Sequence, residues 1–438
     1  MTSDIWKFEN KFVSLQLQNK IILYKYNKPN NTTTMRTILI YILLTISIPV
    51  LAQKTIISGT VTDAKTGKHI AQASVTAGNV SVVTNDDGFF TLKTDVETKV
   101  TLVVSHLGYR SRRINVSAGN TDEQKIRLTP TPVELQEVVV WTGNPRELVN
   151  VATKKIPENY SGEAELFNCF YRETATKRGR YIYVAEGVVD MYKTSYRQGM
   201  WRDRVAIKKG RRLLSPKQSD TLGVKVVGGP MQPVQLDIAK NTDFLLNEQE
   251  LDNYIFTMEE PAIIGDRMQY VVAISPGREL PYALYYGRLY IDRETLAFTR
   301  AELTLDMSNK GKATEYMLVH KPAGVRFRPS ELTCIVDYRL EDGITRIAYI
   351  RNTFRFNCDW KRRLFATSFT ASCEMVVTDR AEEAVRPPRG KSSFDARDSF
   401  YDKVDYFLDP HFWEDYNIIE PTESLDTAVD KLLKKYRK

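Results

Sequence analysis

The chain has 438 residues, 42% of them apolar and 26% charged, with a formal net charge of +8. That length gives room for two or three domains with sizeable cores. Residues 1–52 hold six Lys/Arg (Lys7, Lys11, Lys20, Lys25, Lys28, Arg36) against Asp4 and Glu9, so the remainder carries only +4 and makes no case for a nucleic-acid partner.

Met35-Arg36 is followed by the apolar run TILIYILLTISIPV and by Leu51-Ala52 before Gln53. A short basic region, an apolar core and a small-residue end predict a signal peptide over 35–52. Such a signal normally begins a chain, so Met35 is the expected start and 1–34 a mis-assigned extension; an N-terminal membrane anchor is the alternative. The run falls short of the roughly 20 residues of a comfortable span. The first cysteine is Cys169, so no lipid-modified cysteine follows the leader. The mature chain is expected to be exported, without a transmembrane span, in the periplasm or against the outer membrane.

Residues 53–140 read as a small β-sandwich. Predicted strands are Thr55–Thr62, Ala73–Val75, Ser81–Thr84, Phe89–Thr94, Val100–Ser105, Arg110–Val116 and Lys125–Leu128, broken by turns at Gly67, Gly88 and Gly108. The string G-x-V-x-D-x-x-T-G…A-x-V…T-x-D-D-G-x-F-x-L…S-x-x-G-Y resembles the carboxypeptidase-regulatory-like, transthyretin-like domain of Bacteroidetes envelope proteins. That resemblance implies an immunoglobulin-like scaffold and no activity of its own.

Leu135–Val140 (LQEVVV) follows, a stretch that in the resembling family often leads into TonB-dependent receptors. Too few residues remain for a plug and barrel, so the resemblance implies at most an accessory of an outer-membrane TonB-dependent or secretion complex. Residues 141–160 predict a helical linker, with Asn144 as N-cap, Pro145 as first helical residue, Leu148, Val149 and Ala152 as the apolar stripe, and Pro157 as the stop.

Residues 161–420 read as antiparallel strands. Ala297, Thr299, Ala301, Leu303, Leu305 and Met307 alternate with Arg300, Glu302, Thr304 and Asp306; Leu332–Leu340 and Ile344–Cys358 repeat the period of two around Glu341-Asp342-Gly343. Further hairpin turns are expected at Lys177–Gly179, Arg293–Thr295 and Asn309–Gly311. The expectation is one large curved sheet, half-barrel-like, in a mainly β protein. Residues 421–438 predict an amphipathic helix carrying Leu425, Val429, Leu432, Leu433 and Tyr436, a candidate cover for the sheet alongside the linker helix. NCFYRET (Asn168–Thr174), YYGRLYIDRETLAF (Tyr285–Phe298) and FWEDYNIIEP (Phe412–Pro421) resemble the β-rich C-terminal region of Bacteroidetes proteins bearing the same module. The hairpin G-x-L-Y-I-D-x-x-T-x-A-F also resembles the half-barrel of envelope lipid and lipoprotein carriers.

Reactive chemistry finds little support. The four histidines are His69, His106, His320 and His411, and His411-x-x-Glu414 is the one zinc-like pair; no further ligand set accompanies it. There is no G-x-S-x-G elbow and no phosphate cradle. Cys169, Cys334, Cys358 and Cys373 lack CxxC spacing, and both disulfides and buried thiols remain open. Thr84–Gly88 reads as a turn before a calcium loop. Lys208, Lys209, Arg211 and Arg212 read as a solvated hairpin tip before a headgroup contact. Tyr282, Tyr285, Tyr286 and Tyr290 are the candidate ligand-binding residues, since alternating aromatics on a sheet can line a groove. No catalytic residue, metal or cofactor is expected. The functional expectation is a non-catalytic envelope binding or scaffold protein for a lipid, glycan or peptide, with an envelope hydrolase as the remote alternative.

Overall fold

In a computed structural model, the described residues are 54–131 except 97, and 141–436 except 216, 218–223, 227, 361–364, 382–384, 396–397, 407–411 and 414–415. The expected leader and the segment before it, Leu135–Val140, His411 and Glu414 lie outside them.

Strands β1 (Thr55–Asp63), β2 (Ser74–Ala77), β3 (Val80–Val83), β4 (Phe89–Thr94), β5 (Lys99–Ser105), β6 (Arg112–Ser117) and β7 (Gln124–Leu128) form two small sheets, ordered β4-β1-β7 and β3-β2-β5-β6. Their pleat turns Ile57, Val61, Val75, Phe90, Leu92, Leu102, Val104 and Ile126 into one buried core. The motif residues build the turns. The Asp63 carboxylate accepts from the Lys65 and Thr66 amides at 2.7 and 2.8 Å and from the Tyr109 hydroxyl at 2.8 Å. Gly88 has φ +74, and a side chain there would meet the Val61 carbonyl at 2.7 Å.

Asn144 caps helix α1 (Pro145–Lys154) by accepting from the Arg146 amide, and Leu148, Val149 and Ala152 face inward. Pro157 does not end the helical linker. It falls in the first turn of α2 (Ile156–Asn159), where its missing N–H costs nothing.

Next come β8 (Glu165–Lys177), β9 (Arg180–Lys193), β10 (Arg204–Leu214), β11 (Lys225–Val226), α3 (Met231–Gln235), α4 (Glu248–Leu251), β12 (Tyr254–Ile264), β13 (Arg267–Pro276), β14 (Tyr285–Asp292) and β15 (Phe298–Leu305). They are followed by α5 (Lys310–Met317), β16 (Leu318–His320), β17 (Val325–Glu341), β18 (Ile344–Trp360), β19 (Thr367–Arg380), β20 (Ser393–Phe394), β21 (Asp405–Tyr406) and α6 (Glu423–Tyr436). Twelve strands join one sheet, β12-β13-β14-β15-β17-β18-β19-β8-β9-β10-β20, with β21 also on β10. The sheet does not close, and no helix among the described residues is long and apolar enough to cross a membrane.

Three local expectations give way. The stretch 161–420 is not β throughout: residues 231–251 form short helices whose Val234, Leu236, Ile238, Leu245, Leu246 and Leu251 pack under the sheet. Asn309 does not turn a hairpin; its side chain accepts from the Gly311 and Lys312 amides and starts α5. The basic run lies inside β10, where β9 supplies acids opposite it: Lys208 meets Asp190 at 2.9 Å and Arg211 meets Glu186 at 3.0 Å.

Different elements pack on the two faces of the sheet, and on the outer face they cover it only in part. The inner face carries the main core, in which Leu289, Phe298, Leu303, Val336, Ile350, Phe354 and Met375 pack with α1, α2, 231–251 and α5. On the outer face, Phe170, Val188, Tyr349 and Val376 lie beneath Val83 of the sandwich and Trp413, Ile418 and Ile419 of the C-terminal segment. Helix α6 adds Leu425, Val429 and Leu432 over Val184 and Leu213. The two helices expected as candidate covers therefore each take one face.

Candidate functional site

Pleating sends alternate side chains to opposite faces, and strand register then aligns them in rows that cross the strands. On the outer face one row reads Tyr286, Thr304, Thr333, Thr353, Ser372, Thr174, one residue from each of β14, β15, β17, β18, β19 and β8. With neighbouring strands ~4.8 Å apart, the row runs for ~24 Å. It continues as Val184 and Leu213, which α6 covers. The Thr174 and Ser372 hydroxyls are 3.0 Å apart. Those of Thr304, Thr333 and Thr353 have no protein partner among the described residues.

The flanking rows set opposite charges side by side. One reads Arg288, Glu302, Ile335, Arg351, Glu374, Arg172; the other reads Glu331, Arg355, Thr370, Thr176, Tyr181. Arg288 pairs with Glu259 at 2.6 Å, Arg351 with Asp86 of the sandwich at 3.1 Å, and Arg355 with Glu331 at 3.0 Å. The rows bound an open trough with stretches of about 340 and 910 Å3. Gln72 of the sandwich walls one side, and Tyr181, packed against the apolar face of α6, closes the end there.

The four tyrosines singled out by sequence are not brought together. Tyr286 stands in the hydroxyl row and is 47% exposed. Tyr282 is equally exposed, but its hydroxyl lies 3.3 Å from Glu250, away from the row. Tyr285 faces inward, buried against Phe244 and Tyr316. Tyr290 is on the outer face but buried, donating to Glu302 at 3.2 Å.

A cavity of about 320 Å3 lies between the sandwich and the outer face, lined in part by His106, Ser111, Gln269, Thr299, Arg300 and Asp337. His106 Nδ1 donates to the Leu107 carbonyl at 2.9 Å. Burial, then the nearby Arg300 guanidinium, holds its pKa below the usual histidine value. Arg300 grips both oxygens of Asp337, at 2.7 and 2.8 Å, and Glu302 at 2.7 Å. Burial raises the Asp337 pKa despite that pairing.

The inner face hides a charge cluster that no spacing in the sequence announces. Lys193 Nζ lies 2.7 Å from Asp237 and 3.4 Å from Asp203, and Lys240 Nζ lies 3.8 Å from Asp203. Tyr196 and Tyr338 each donate to Asp237, at 2.8 and 2.7 Å, and Lys240 donates to the Thr194 carbonyl at 2.8 Å. All four charged side chains are buried. Burial lowers the Lys240 pKa to about 8, whereas the two carboxylates outweigh burial at Lys193 and raise it.

The cysteines are free and buried. Burial pushes Cys334 up to about 12 and Cys358 to about 11, so neither supplies a thiolate near neutral pH. Among the described residues no group of three or more His, Cys, Asp or Glu is arranged to hold a metal ion. At the Asp-rich turn, Asn85 Oδ1 accepts from the Asp87 and Phe89 amides.

The architecture is that of a mainly β protein, a small sandwich seated on a large open antiparallel sheet. The sandwich is a CarboxypepD_reg-like domain: the model of that family matches residues 57–140. No curated protein matches the chain. Among solved structures, a putative outer membrane lipoprotein-sorting protein domain from Vibrio parahaemolyticus is similar at 11% identity, over 56% of this chain and 95% of that one, with a TM-score of 0.26. A LolA superfamily protein from Nitrosomonas europaea is similar at 13% identity, over 54% and 95%, with a TM-score of 0.19. A putative membrane-associated protein of unknown function from Bacteroides fragilis is similar at 11%, over 75% and 98%, with a TM-score of 0.15. Scores of this size lend no weight to a functional assignment.

Proposed function

We propose that this is an exported, non-catalytic binding protein of the cell envelope whose working surface is the outer-face trough. The observation that carries this reading is the in-register hydroxyl row with unpartnered Thr304, Thr333 and Thr353. Polar groups that face water across six strands, while the sandwich walls one side of the row and α6 closes one end, are placed to exchange water for a polar ligand. The interior between sheet and helices holds tightly buried side chains such as Phe298, Phe354 and Met375, which favours a ligand on the surface over an acyl chain inside.

Thr353→Arg tests this directly. Its side chain would fill the trough without touching the buried face. Purified protein should retain material from the aqueous polymer fraction of an envelope extract, saturably, and Thr353→Arg should abolish retention. Retention of the lipid fraction alone, unchanged by Thr353→Arg, would sink the surface reading.

A further inference from the structure

We infer that the trough takes a neutral, extended glycan lying across the strands, an inference that rests on the surface reading above and narrows it to one ligand chemistry. Three observations converge on it. The first is pitch: one hydroxyl residue per strand, from Thr304 to Thr174, repeats every ~4.8 Å, close to the advance of one sugar unit in an extended chain. Each sugar would therefore meet an equivalent partner, and a Thr or Ser hydroxyl both donates and accepts, as sugar hydroxyls do.

The second is charge. The cations beside the row are already engaged: Arg288 by Glu259, Arg351 by Asp86, Arg355 by Glu331 and Arg172 by Glu186 at 2.7 Å. An anionic polymer or headgroup would have to compete with those carboxylates. A neutral polyhydroxyl ligand leaves every pair intact.

The third is the end of the row. Tyr286, half exposed and in register with Thr304, offers a ring face at the open end, where a sugar ring can stack its C–H face. At the opposite end α6 covers the row's continuation at Val184 and Leu213, which blocks further units and limits the length of chain accommodated. An extended peptide fits less well, because backbone amides seek an open strand edge and the trough floor is the centre of a sheet.

The test is titration calorimetry of the purified protein with three probes: neutral β-linked oligosaccharides of two to six units, an anionic polysaccharide, and an extended uncharged peptide. The expected result is binding by the neutral series that strengthens up to about the number of hydroxyl positions and then levels. The double variant Thr333→Val/Thr353→Val keeps branched side chains of the same shape and should weaken binding at least tenfold; Tyr286→Ala should weaken it several-fold. Neutral-glycan binding that survives the valine pair overturns the inference. Binding of only the anionic polysaccharide or the peptide, lost in Thr353→Arg, overturns the glycan chemistry but keeps the surface. If nothing that binds responds to Thr353→Arg, both readings fall.

Discussion

Asn352 faces inward on β18, in register with Cys334 on one side and Cys373 on the other, and neither its Oδ1 nor its Nδ2 has a protein partner among the described residues. A buried unpaired amide costs about 1–3 kcal/mol, so Asn352→Val should raise stability by about 1–2 kcal/mol in chemical denaturation. A loss instead would show that the amide is satisfied in solution. The Lys193–Asp237 pair predicts the opposite sign. Lys193→Met leaves buried Asp237 without its nearest cation and Asp203 with Lys240 alone, and should cost about 3–5 kcal/mol. Lys240 behaves differently because its folded pKa is lowered, to about 8 against an ordinary 10.5. Between those values the unfolded chain holds a proton that the folded protein has released, so this lysine makes stability rise with pH across that window. Lys240→Met should remove that rise in melting temperature, with little change of slope below pH 7.

At the scale of elements, the segment from Phe412 to Pro421 acts as a strap. The Asn417 side chain accepts from the Lys93 amide at 2.7 Å and donates to the Lys93 carbonyl at 2.9 Å, imitating a strand partner for β4. The Ile419 carbonyl takes the Arg172 guanidinium at 2.6 Å, and the Pro421 carbonyl takes Asn85 at 2.9 Å. Asn417→Ala removes both bonds to Lys93 and should cost about 1–2 kcal/mol, with faster hydrogen exchange at Lys93. Unchanged exchange there would show the strap to be redundant.

Elements of this size were the part most legible in sequence. The sandwich strands follow their glycine and Asx turns, α1 starts at its Asn-Pro signal, and the pleat of β17 matches its alternation, as do those of β15 after Thr299 and of β18 after Ala348, where an extra residue shifts the phase. The short helices at 231–251 escaped because their apolar residues follow neither period cleanly and Pro233 interrupts them. The tyrosines illustrate the limit of a local reading: Tyr285 and Tyr286 are adjacent on one strand and must face opposite ways. The hydroxyl row was invisible because its members, from 174 to 372, are neighbours only through strand register. FWEDYNIIEP, conspicuous as a motif, marks the strap and not the trough.

For the molecule as a whole, the seam between sandwich and sheet decides how the trough is walled. Its contacts include the Ser81 hydroxyl on the Val377 carbonyl at 2.6 Å, the Gly108 amide on the Ile263 carbonyl at 3.0 Å, and Asp86 with Arg351. His106 lies in the cavity behind them, with its pKa held below 6.5. As pH falls from 6.5 toward that lowered value, the unfolded chain takes a proton that the buried ring refuses, so stability falls with acidification. The melting temperature should therefore decline between pH 6.5 and 5 more steeply than in His106→Gln. Equal slopes would mean that the ring titrates as it does in water.

The strap also bears on the order of assembly. A polypeptide delivered from its amino end releases the sandwich first, and that domain can complete its own core from residues 57–128 alone. The shared core on Phe170 and Val188, however, is completed only by Trp413 and Ile419, which lie far downstream of the sandwich in the chain. Until then the sandwich is held to the sheet only by direct contacts such as Ser81 with Val377 and Asp86 with Arg351, without the fastener.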